Sequence, residues 1–455
     1  MEKAFHSYDI RGIYNEDFNA QDAYKIGFFL PKLLNTNKIL VGRDMRNSSD
    51  EIFEYLSKGI TDAGADVYNC GLSTTPMVYW LTAQYKFDAS VQITASHNPK
   101  EYNGMKISRT NAIPVGFDTG LNKLLEMATK ETVIPLQNKG KIIQFDKKYE
   151  YINFLNRYLP DLSSLTLSID CSNGIVSTVI DKLFKKYESH INYLFKEPDG
   201  NFPNHDPNPL KIENIKYLSE NVRKNNSDIG IIYDGDADRV MFTDEQGNFI
   251  SPDLMIALMG HYFLEDKAEA EKVKVLQDIR TSKSVGEYLK KHWANVEVHT
   301  WKVGRAHAAL KLREIDGLFG GELAGHYYFK DFFYSDSGIL SSLIILNIIK
   351  NLKKEGIKIS EKISEITQYY NSGEINFKIE HKKEAIKAVV NHFTKEKTPE
   401  KILDFDGYRI EYEDWWFNIR PSNTEPYLRL LVEAKSKELL EEKINEIRSI
   451  ITQYD

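Results

Sequence analysis

The sequence has little of several features that mark specialised classes of protein. Only two cysteines occur among 455 residues, and they stand far apart, at Cys70 and Cys171. This scarcity excludes a disulfide framework and a cysteine-rich zinc site. Positive charge is not in excess either. The net charge of −7 provides no broad basic surface for nucleic acid, so any anion site must be built locally.

Long apolar runs are also scarce. The most apolar one, residues 338–349, is too short and too rich in serine to span a bilayer. We expect it to form a buried helix with Ser335 or Asp336 near its cap. The opening stretch, MEKAFHSYDIRG, lacks the apolar core of a signal peptide. We therefore expect a cytoplasmic protein that has neither a membrane nor a nucleic acid as its partner.

A strand followed by a polar turn and a helix recurs three times along the chain. The three strands are KILVGRD, LTLSIDCSNG and KVKVLQDIRTS, and the helices that follow the first and third begin near Ser49 and Ser282. Such alternation is typical of parallel βαβ units. The pattern predicts three related α/β domains, which we place at residues 1–150, 151–250 and 251–370.

The last part of the chain, residues 371–455, has a different pattern. Strand-like runs YRIEYE, WWFNIR and YLRLLVEA follow one another, and a final helix carries Leu440, Ile444, Ile447 and Ile451 at helical spacing. We predict a smaller α+β domain with an antiparallel sheet.

The stretch VQITASHNPKEYNGMKIS contains the first candidate site. An apolar, β-branched run ends at Ser96 and is followed at once by His97, Asn98 and Pro99. Because ligands bind at the carboxyl ends of strands in open α/β sheets, Ser96 is a candidate nucleophile. A turn in which the two side chains only cap the backbone is the alternative.

The stretch DIGIIYDGDADRV contains the second site. A buried strand ends in Asp234, Asp236 and Asp238, three carboxylates within five residues. Their mutual repulsion requires a cation, and oxygen donors at this spacing favour Mg²⁺. A calcium loop of the EF-hand type is the alternative, but such a loop lies between helices and ends in a bidentate glutamate.

Two further loops carry groups suited to a sugar phosphate. In GLFGGELAGHYYF, the paired glycines allow close approach of a ligand, Glu322 can accept bonds from vicinal hydroxyls, and His326 can move a proton. In RPSNTEP, Arg420 offers a bidentate fork in a turn suited to an anion. Single basic residues follow short polar turns near these loops, namely Arg11, Lys106, Arg239, Lys302 and Arg305.

The four motifs, in this order, resemble those of the α-D-phosphohexomutase superfamily, and within it the bacterial phosphomannomutase and phosphomannomutase/phosphoglucomutase group. The resemblance spans nearly the whole chain and implies four domains around a central cleft. It implies that Ser96 carries a phosphoryl group and contributes with Asp234, Asp236 and Asp238 to an Mg²⁺ site. The implied catalytic residues are Ser96, His97, Arg11, Lys106 and His326. The implied substrate contacts are Tyr8, Arg239, Lys302, Gly304, Glu322, Ala324, Arg420, Ser422, Asn423, Thr424 and Arg429.

The activity implied by the resemblance is the interconversion of hexose 1-phosphate and hexose 6-phosphate, with mannose or glucose as the sugar. A hexose 1,6-bisphosphate is the implied intermediate and activator, a small sugar phosphate is the partner, and we expect a monomer or weak homodimer. The alternatives are a phosphatase that uses the same phosphoserine and a phosphoglucosamine mutase. Two departures from the family pattern concern sugar preference: Ala324 stands where serine is usual, and Arg305 where histidine is frequent.

Overall fold

The computed structural model describes residues 1–265, 267, 271–422 and 427–454, and within them four sheets follow one another along the chain. The first segment contains β1 (Ile10–Ile13), α1 (Ala20–Leu34), β2 (Lys38–Arg43), α2 (Ser49–Asp62), β3 (Asp66–Leu72), α3 (Thr75–Gln84), β4 (Ala89–Ile93), β5 (Tyr102–Arg109), β6 (Ile113–Pro114), α4 (Leu121–Lys130) and β7 (Ile142–Gln144). Its strand order is β1-β5-β4-β2-β3-β7, with β6 beside β5. The pairs among β4, β2, β3 and β7 are parallel, and those with β5 are antiparallel.

The second segment contains α5 (Lys148–Leu155), β8 (Leu167–Asp170), α6 (Ser177–Leu183), β9 (Ile191–Leu194), α7 (Ile212–Asn225), β10 (Ile229–Tyr233), β11 (Val240–Thr243) and β12 (Phe249–Ile250). The third contains α8 (Leu254–Phe263), β13 (Val273–Asp278), α9 (Lys283–His292), β14 (Val296–Trp301), α10 (Arg305–Glu314), β15 (Phe319–Gly321), β16 (Tyr327–Phe329), β17 (Ser335–Asp336), α11 (Gly338–Lys354) and α12 (Ile359–Ile366). Their strand orders are β12-β11-β10-β8-β9 and β14-β13-β15-β16-β17. Each sheet again joins parallel strands to an antiparallel extension.

The last segment has a sheet with only antiparallel pairs. It contains β18 (Tyr370–Asn371), β19 (Ile375–Phe377), α13 (Lys382–Glu396), β20 (Lys401–Leu403), β21 (Tyr408–Glu411), β22 (Trp415–Pro421), β23 (Leu428–Ala434) and α14 (Lys437–Ile451). Leu440, Ile447 and Ile451 of α14 are buried, as their spacing predicts. Three mixed α/β sheets and one antiparallel sheet confirm the predicted fold class.

Three candidate loops occupy the same place in three sheets. Residues 94–101 join β4 to β5, residues 234–239 join β10 to β11, and residues 322–326 join β15 to β16. In each case the first strand has a parallel neighbour on one side and its antiparallel successor on the other. The loop therefore follows the carboxyl end of a parallel strand, where α/β sheets bind ligands.

One apolar cluster extends from part of the first segment through the second and third segments. Trp80 of α3 packs against Phe154 of α5, with ring centroids 5.5 Å apart, and Phe154 packs against Phe332, at 5.8 Å. The run at residues 338–349 lies inside the buried helix α11. Its cap is Ser337, whose side chain accepts a hydrogen bond from the Leu340 amide, and Ser335 and Asp336 lie near this cap, as the sequence predicted. Within the described residues, no helix combines the length and apolarity that a membrane crossing requires.

Candidate active site

Ser96 lies in a loop whose backbone one buried arginine fixes. The hydroxyl follows β4, the residue is 1% exposed, and its φ of +53° lies in the left-handed region that non-glycine residues rarely adopt. The Arg46 guanidinium donates to the carbonyls of Ser96, Asn98, Pro99 and Tyr102 over 2.7–3.0 Å. Because a buried guanidinium satisfies four carbonyls at once, the turn is held in a single conformation.

One aspartate of the second loop binds this serine, and the other two lie beside it. Ser96 Oγ donates to Asp234 Oδ2 over 2.8 Å, and the carboxylates of Asp234, Asp236 and Asp238 are fully buried. Lys106 of β5 donates to Asp236 Oδ2 over 2.7 Å and also to Asp238 Oδ2. The structure thus brings together a hydroxyl, three carboxylates and an ammonium that come from two different sheets.

Burial and the neighbouring charges shift the pKa values of these groups in different directions. Burial, reinforced by the charges of Asp236 and Asp238, raises the pKa of Asp234 well above its usual range. Burial also opposes ionisation of Asp238, but the Lys106 ammonium beside it outweighs burial and lowers the pKa of that carboxyl. Asp236 and Asp238 likewise raise the pKa of Lys106 against its own burial, so this side chain carries a positive charge.

The acidic loop fits a divalent cation. One oxygen atom of each aspartate, at positions 234, 236 and 238, lies within 4.8 Å of the others. Among the residues described, Asp236 Oδ1 and Asp238 Oδ1 are buried and have no hydrogen-bond partner. Hard, unpartnered oxygen donors are the ligands that Mg²⁺ and Ca²⁺ prefer. The loop joins strands β10 and β11 rather than two helices, so the EF-hand alternative does not apply.

Arg11 and His97 complete the rim of the serine loop. Arg11 of β1 donates to Asn98 Oδ1 over 2.8 Å and forms an ion pair with Asp9. His97 Nδ1 lies 3.4 Å from Ser96 Oγ. Burial, followed by the positive charges of Arg239 and Arg11, lowers the pKa of His97 well below its usual range. The imidazole beside Ser96 is therefore neutral at pH 7.

His326 is held between a carboxylate and a guanidinium. Its Nδ1 lies 2.7 Å from Asp336 Oδ2, and its Nε2 accepts a hydrogen bond from Arg239 Nε over 2.9 Å. Arg305 Nε donates to the second oxygen of Asp336 over 3.0 Å. The structure thus joins Arg239 and His326, two predicted site residues, directly. It adds Asp336, which the sequence had placed only near the start of a helix.

Glu322 follows β15 and is held by donors on both oxygens. Its Oε2 accepts from the Gly304 amide over 2.9 Å, and its Oε1 accepts from the Tyr328 hydroxyl. Burial raises the pKa of this carboxyl. The glycines before it are also required by internal packing. A Cβ at Gly320 would lie 2.7 Å from Leu276, and one at Gly321 would lie 2.7 Å from Ile256, so internal packing requires both.

Gly304 lies where three of the four segments of the chain meet. Its φ is +108°, and a Cβ there would lie 2.8 Å from the Tyr8 ring. Tyr8 OH donates to the Val303 carbonyl over 3.2 Å, and the Val303 amide donates to Asp406 Oδ2 over 2.9 Å. The half-buried Lys302 precedes this contact. Tyr8, Lys302 and Gly304, predicted separately, therefore belong to one corner of the site.

The hairpin between β22 and β23 presents a buried arginine. Arg420 is 4% exposed, and its guanidinium lies 3.7 Å from the Asp406 carboxylate. Burial and the nearby charge of Arg280 lower the pKa of Arg420. Arg420 and Arg280 are two buried positive charges close to each other, and such a pair indicates a place for an anion. Arg429 pairs with Glu374 over 3.1 Å.

The rest of this hairpin is described only in part. The Ser422 amide donates to the Tyr427 carbonyl over 2.8 Å. The predicted contacts Asn423 and Thr424 lie outside the described residues. Ala324, in the loop between β15 and β16, is half-buried.

Sequence reasoning missed several residues of the site because their partners are distant in sequence. Thr75 Oγ1 donates to Asp236 Oδ2 over 2.5 Å across 161 positions, and Arg46 reaches Ser96 across 50. Arg280 pairs with Asp278 over 2.7 Å and lies 4.0 Å from Glu322. A polar turn after each parallel strand was the one available signal, since Arg280 follows β13 and Arg46 follows β2.

Four consecutive parts of the chain match the four domain families described as phosphoglucomutase/phosphomannomutase alpha/beta/alpha domains I, II and III and C-terminal domain, over residues 2–133, 149–247, 251–370 and 374–450. The chain is 35% identical over 460 residues to a phosphomannomutase of Methanocaldococcus jannaschii, covering 99% of this chain and 98% of that one. A phosphomannomutase of Escherichia coli is 34% identical over 467 residues, with 98% of each covered. Among solved structures, a phosphoglucomutase/phosphomannomutase family protein from Burkholderia thailandensis superposes with a TM-score of 0.89 at 26% identity, covering 100% of this chain and 98% of that one.

Proposed function

Because this chain belongs to the phosphoglucomutase/phosphomannomutase family, we propose that it interconverts hexose 1-phosphate and hexose 6-phosphate through a phosphoserine at Ser96. Mannose and glucose are the proposed sugars. The observation that carries the proposal is the hydrogen bond of 2.8 Å from the buried Ser96 hydroxyl to Asp234, beside two further aspartates and Lys106. Such a serine can carry a phosphoryl group whose negative charge is offset by Lys106 and by a cation held on the aspartates.

Asp234, Asp236 and Asp238, with an oxygen of the group on Ser96, would hold Mg²⁺. When bound, that ion supplies positive charge that offsets the negative charge of the phosphoryl group. Lys106 contributes a second positive charge, because its ammonium already contacts Asp236 and Asp238. Preorganised charge of this kind is the main source of rate enhancement in phosphoryl transfer.

The first transfer moves the phosphoryl group from Ser96 to the free hydroxyl of the substrate. The bond between phosphorus and Ser96 Oγ breaks, a bond from phosphorus to the sugar oxygen forms, and the proton that the sugar hydroxyl loses passes to the freed Ser96 oxygen. His97, Lys106, Arg11 and His326 are the groups proposed to assist this transfer, by relaying the proton or by offsetting the negative charge. The resulting hexose 1,6-bisphosphate turns within the cleft and returns its other phosphoryl group to Ser96.

The rest of the site would bind the sugar and the phosphate that is not reacting. Glu322 has lone pairs for sugar hydroxyls beyond the two donors that it already meets. Arg420, next to Arg280, would neutralise the remote phosphate. The further proposed substrate contacts are Tyr8, Arg239, Lys302, Gly304, Ala324, Ser422, Asn423, Thr424 and Arg429. The proposed domains are residues 1–150, 151–250, 251–370 and 371–455, and the proposed state is a monomer or weak homodimer.

Parallel assays with mannose 1-phosphate, glucose 1-phosphate and glucosamine 1-phosphate test the proposed activity. Each would contain Mg²⁺ and hexose 1,6-bisphosphate, and each would be followed for the 6-phosphate product and for free phosphate. We expect 6-phosphate from mannose or glucose and little free phosphate. Free phosphate as the main product would identify a phosphatase, and turnover of glucosamine 1-phosphate alone would identify a phosphoglucosamine mutase.

A further inference from the structure

Arg305 lies at the start of α10. It is the first of four side chains linked by hydrogen bonds, and the last of them is Arg239. Arg305 Nε donates to Asp336 Oδ1 over 3.0 Å, and Asp336 Oδ2 lies 2.7 Å from His326 Nδ1. Arg239 Nε then donates to His326 Nε2 over 2.9 Å. Asp336 is fully buried and His326 is 7% exposed, so little water competes for these bonds.

The partners of His326 determine which nitrogen carries its proton. An ionised carboxylate only accepts hydrogen bonds, so Nδ1 must donate to Asp336. The Arg239 guanidinium only donates, so Nε2 must offer its lone pair. His326 is therefore the neutral Nδ1–H tautomer, and its one acceptor is committed to Arg239.

Arg239 retains free donors in this arrangement. Among the described residues, its two terminal nitrogens have no protein partner, and its charge acts on His97 and on Asp234 beside Ser96. The orientation of these donors depends on the bond at Nε. His326 thus sets the direction in which Arg239 points.

We propose that Arg305 is a positioning residue that, through Asp336 and His326, fixes the Arg239 guanidinium for phosphoryl transfer at Ser96. The proposal rests on the proposed function. The competing acceptor is Asp238, whose unpartnered Oδ1 lies 3.9 Å from His326 Nδ1. Arg305 keeps Asp336 in place, and Asp336 keeps the Nδ1–H away from Asp238. Without Arg305, the imidazole can turn toward Asp238 and release Arg239.

Arg305 also joins two segments of the chain, which supplies the rival explanation. Its Nη2 donates to the Ala112 carbonyl over 3.3 Å, and its guanidinium lies 3.6 Å from the centroid of the Tyr79 ring. Arg313 on the same helix provides a matched control. It donates to the neighbouring Asn111 carbonyl over 3.1 Å and lies 5.0 Å from the Tyr334 ring, but it has no bond to Asp336.

Steady-state kinetics of Arg305→Met, Arg305→Lys and Arg313→Met test the proposal, with the melting temperature of each variant as a check on folding. We expect Arg305→Met to lower kcat about tenfold at nearly constant KM, because a bond that acts in the transition state is lost. Arg305→Lys should recover most of the rate, and Arg313→Met should stay within about twofold of the parent. Equal losses in the two methionine variants would mean that Arg305 only joins segments, and would overturn the proposal.

A double-mutant cycle tests whether Arg305 acts through Arg239. In an Arg239→Met background, Arg305→Met should lower kcat by less than about twofold, because the guanidinium that Arg305 positions is absent. Independent, multiplying losses would overturn the proposal.

A spectrum of ¹⁵N-labelled histidine separates this proposal from the proposed function, because it needs no activity. With His326→Gln used for assignment, the parent should show His326 as the Nδ1–H tautomer, and Arg305→Met should shift that signal. An Nε2–H tautomer in the parent, or an unchanged signal in Arg305→Met, would overturn the inference. A parent enzyme that converts none of the hexose phosphates would overturn the proposed function alone, and the spectrum would still decide the hydrogen-bond chain.

Discussion

Replacing Arg46 by methionine should damage the serine loop more than any comparable surface change. The guanidinium satisfies four carbonyls between Ser96 and Tyr102, and it forms an ion pair with the buried Asp44 at 3.2 Å. Methionine fills a similar volume but leaves Asp44 as a buried charge without its partner. Breaking a buried pair in this way costs about 3–5 kcal/mol. For a unit of about 150 residues, this lowers the melting temperature by about 10 °C.

Arg43→Met is the matched control, since Arg43 ends the strand that precedes Arg46. Its ion pair at 2.5 Å is with Asp50, whose side chain is 82% exposed. Exposed pairs contribute about 1 kcal/mol or less, so we expect a shift of at most about 3 °C. Scanning calorimetry of both variants measures the first transition. Equal shifts would refute the conclusion that Arg46 holds the loop.

Three further predictions concern the aspartates, the hairpin and one buried carboxyl. Asp236→Asn should lower turnover about a hundredfold or more, because the loss of one carboxylate ligand weakens the binding of the cation. The protein should stay folded, because the same change relieves the repulsion among the aspartates. Parent activity that survives a chelator would contradict this expectation. Arg420→Ala should raise KM about tenfold to a hundredfold and increase the need for added hexose 1,6-bisphosphate, as rates measured against added bisphosphate would reveal. An unchanged KM would mean that the hairpin has only a structural role and does not bind the phosphate. Burial, with the charge of Asp253, raises the pKa of Glu433 from 4.5 to about 7. The folded state therefore binds the Glu433 proton more tightly than the unfolded state does. The stability that this proton contributes is present in full below pH 4.5 and is lost as the pH rises through about 7. The difference in melting temperature between the parent and Glu433→Gln should change between pH 5 and pH 8, and a constant difference would count against the raised pKa.

The sequence predicted the parts of the fold that depend on local pattern. Alternating strands and helices indicated three α/β segments, and the spacing of Leu440, Ile447 and Ile451 indicated the buried face of α14. The polar turns after buried strands located Ser96 and the aspartates, since a strand ending is visible in a short window. These features need no knowledge of distant contacts.

Contacts between segments could not be predicted in the same way. Arg46 resembles any solvated arginine in GRDMRNSS, and only the folded chain shows that it reaches the Ser96 loop. The sequence predicted that Gly320 and Gly321 allow a ligand to approach, but it did not show that packing against β13 and α8 also requires them. The sequence showed Arg305 only as a departure from the family pattern, and its bond to Asp336, 31 positions away, is visible only in the folded chain. Pairing across sheets is set by tertiary packing, which a local pattern does not encode.

The central claim is that Ser96 carries the phosphoryl group, and intact-mass measurement tests it most directly. The parent protein and Ser96→Ala would each be incubated with hexose 1,6-bisphosphate and Mg²⁺, weighed, and then treated with excess hexose monophosphate and weighed again. The account predicts a phosphate-sized increase in the parent, mapped to Ser96, that the monophosphate removes and that Ser96→Ala never acquires. Full mutase activity in Ser96→Ala, or a phosphate that maps elsewhere and turns over, would contradict it.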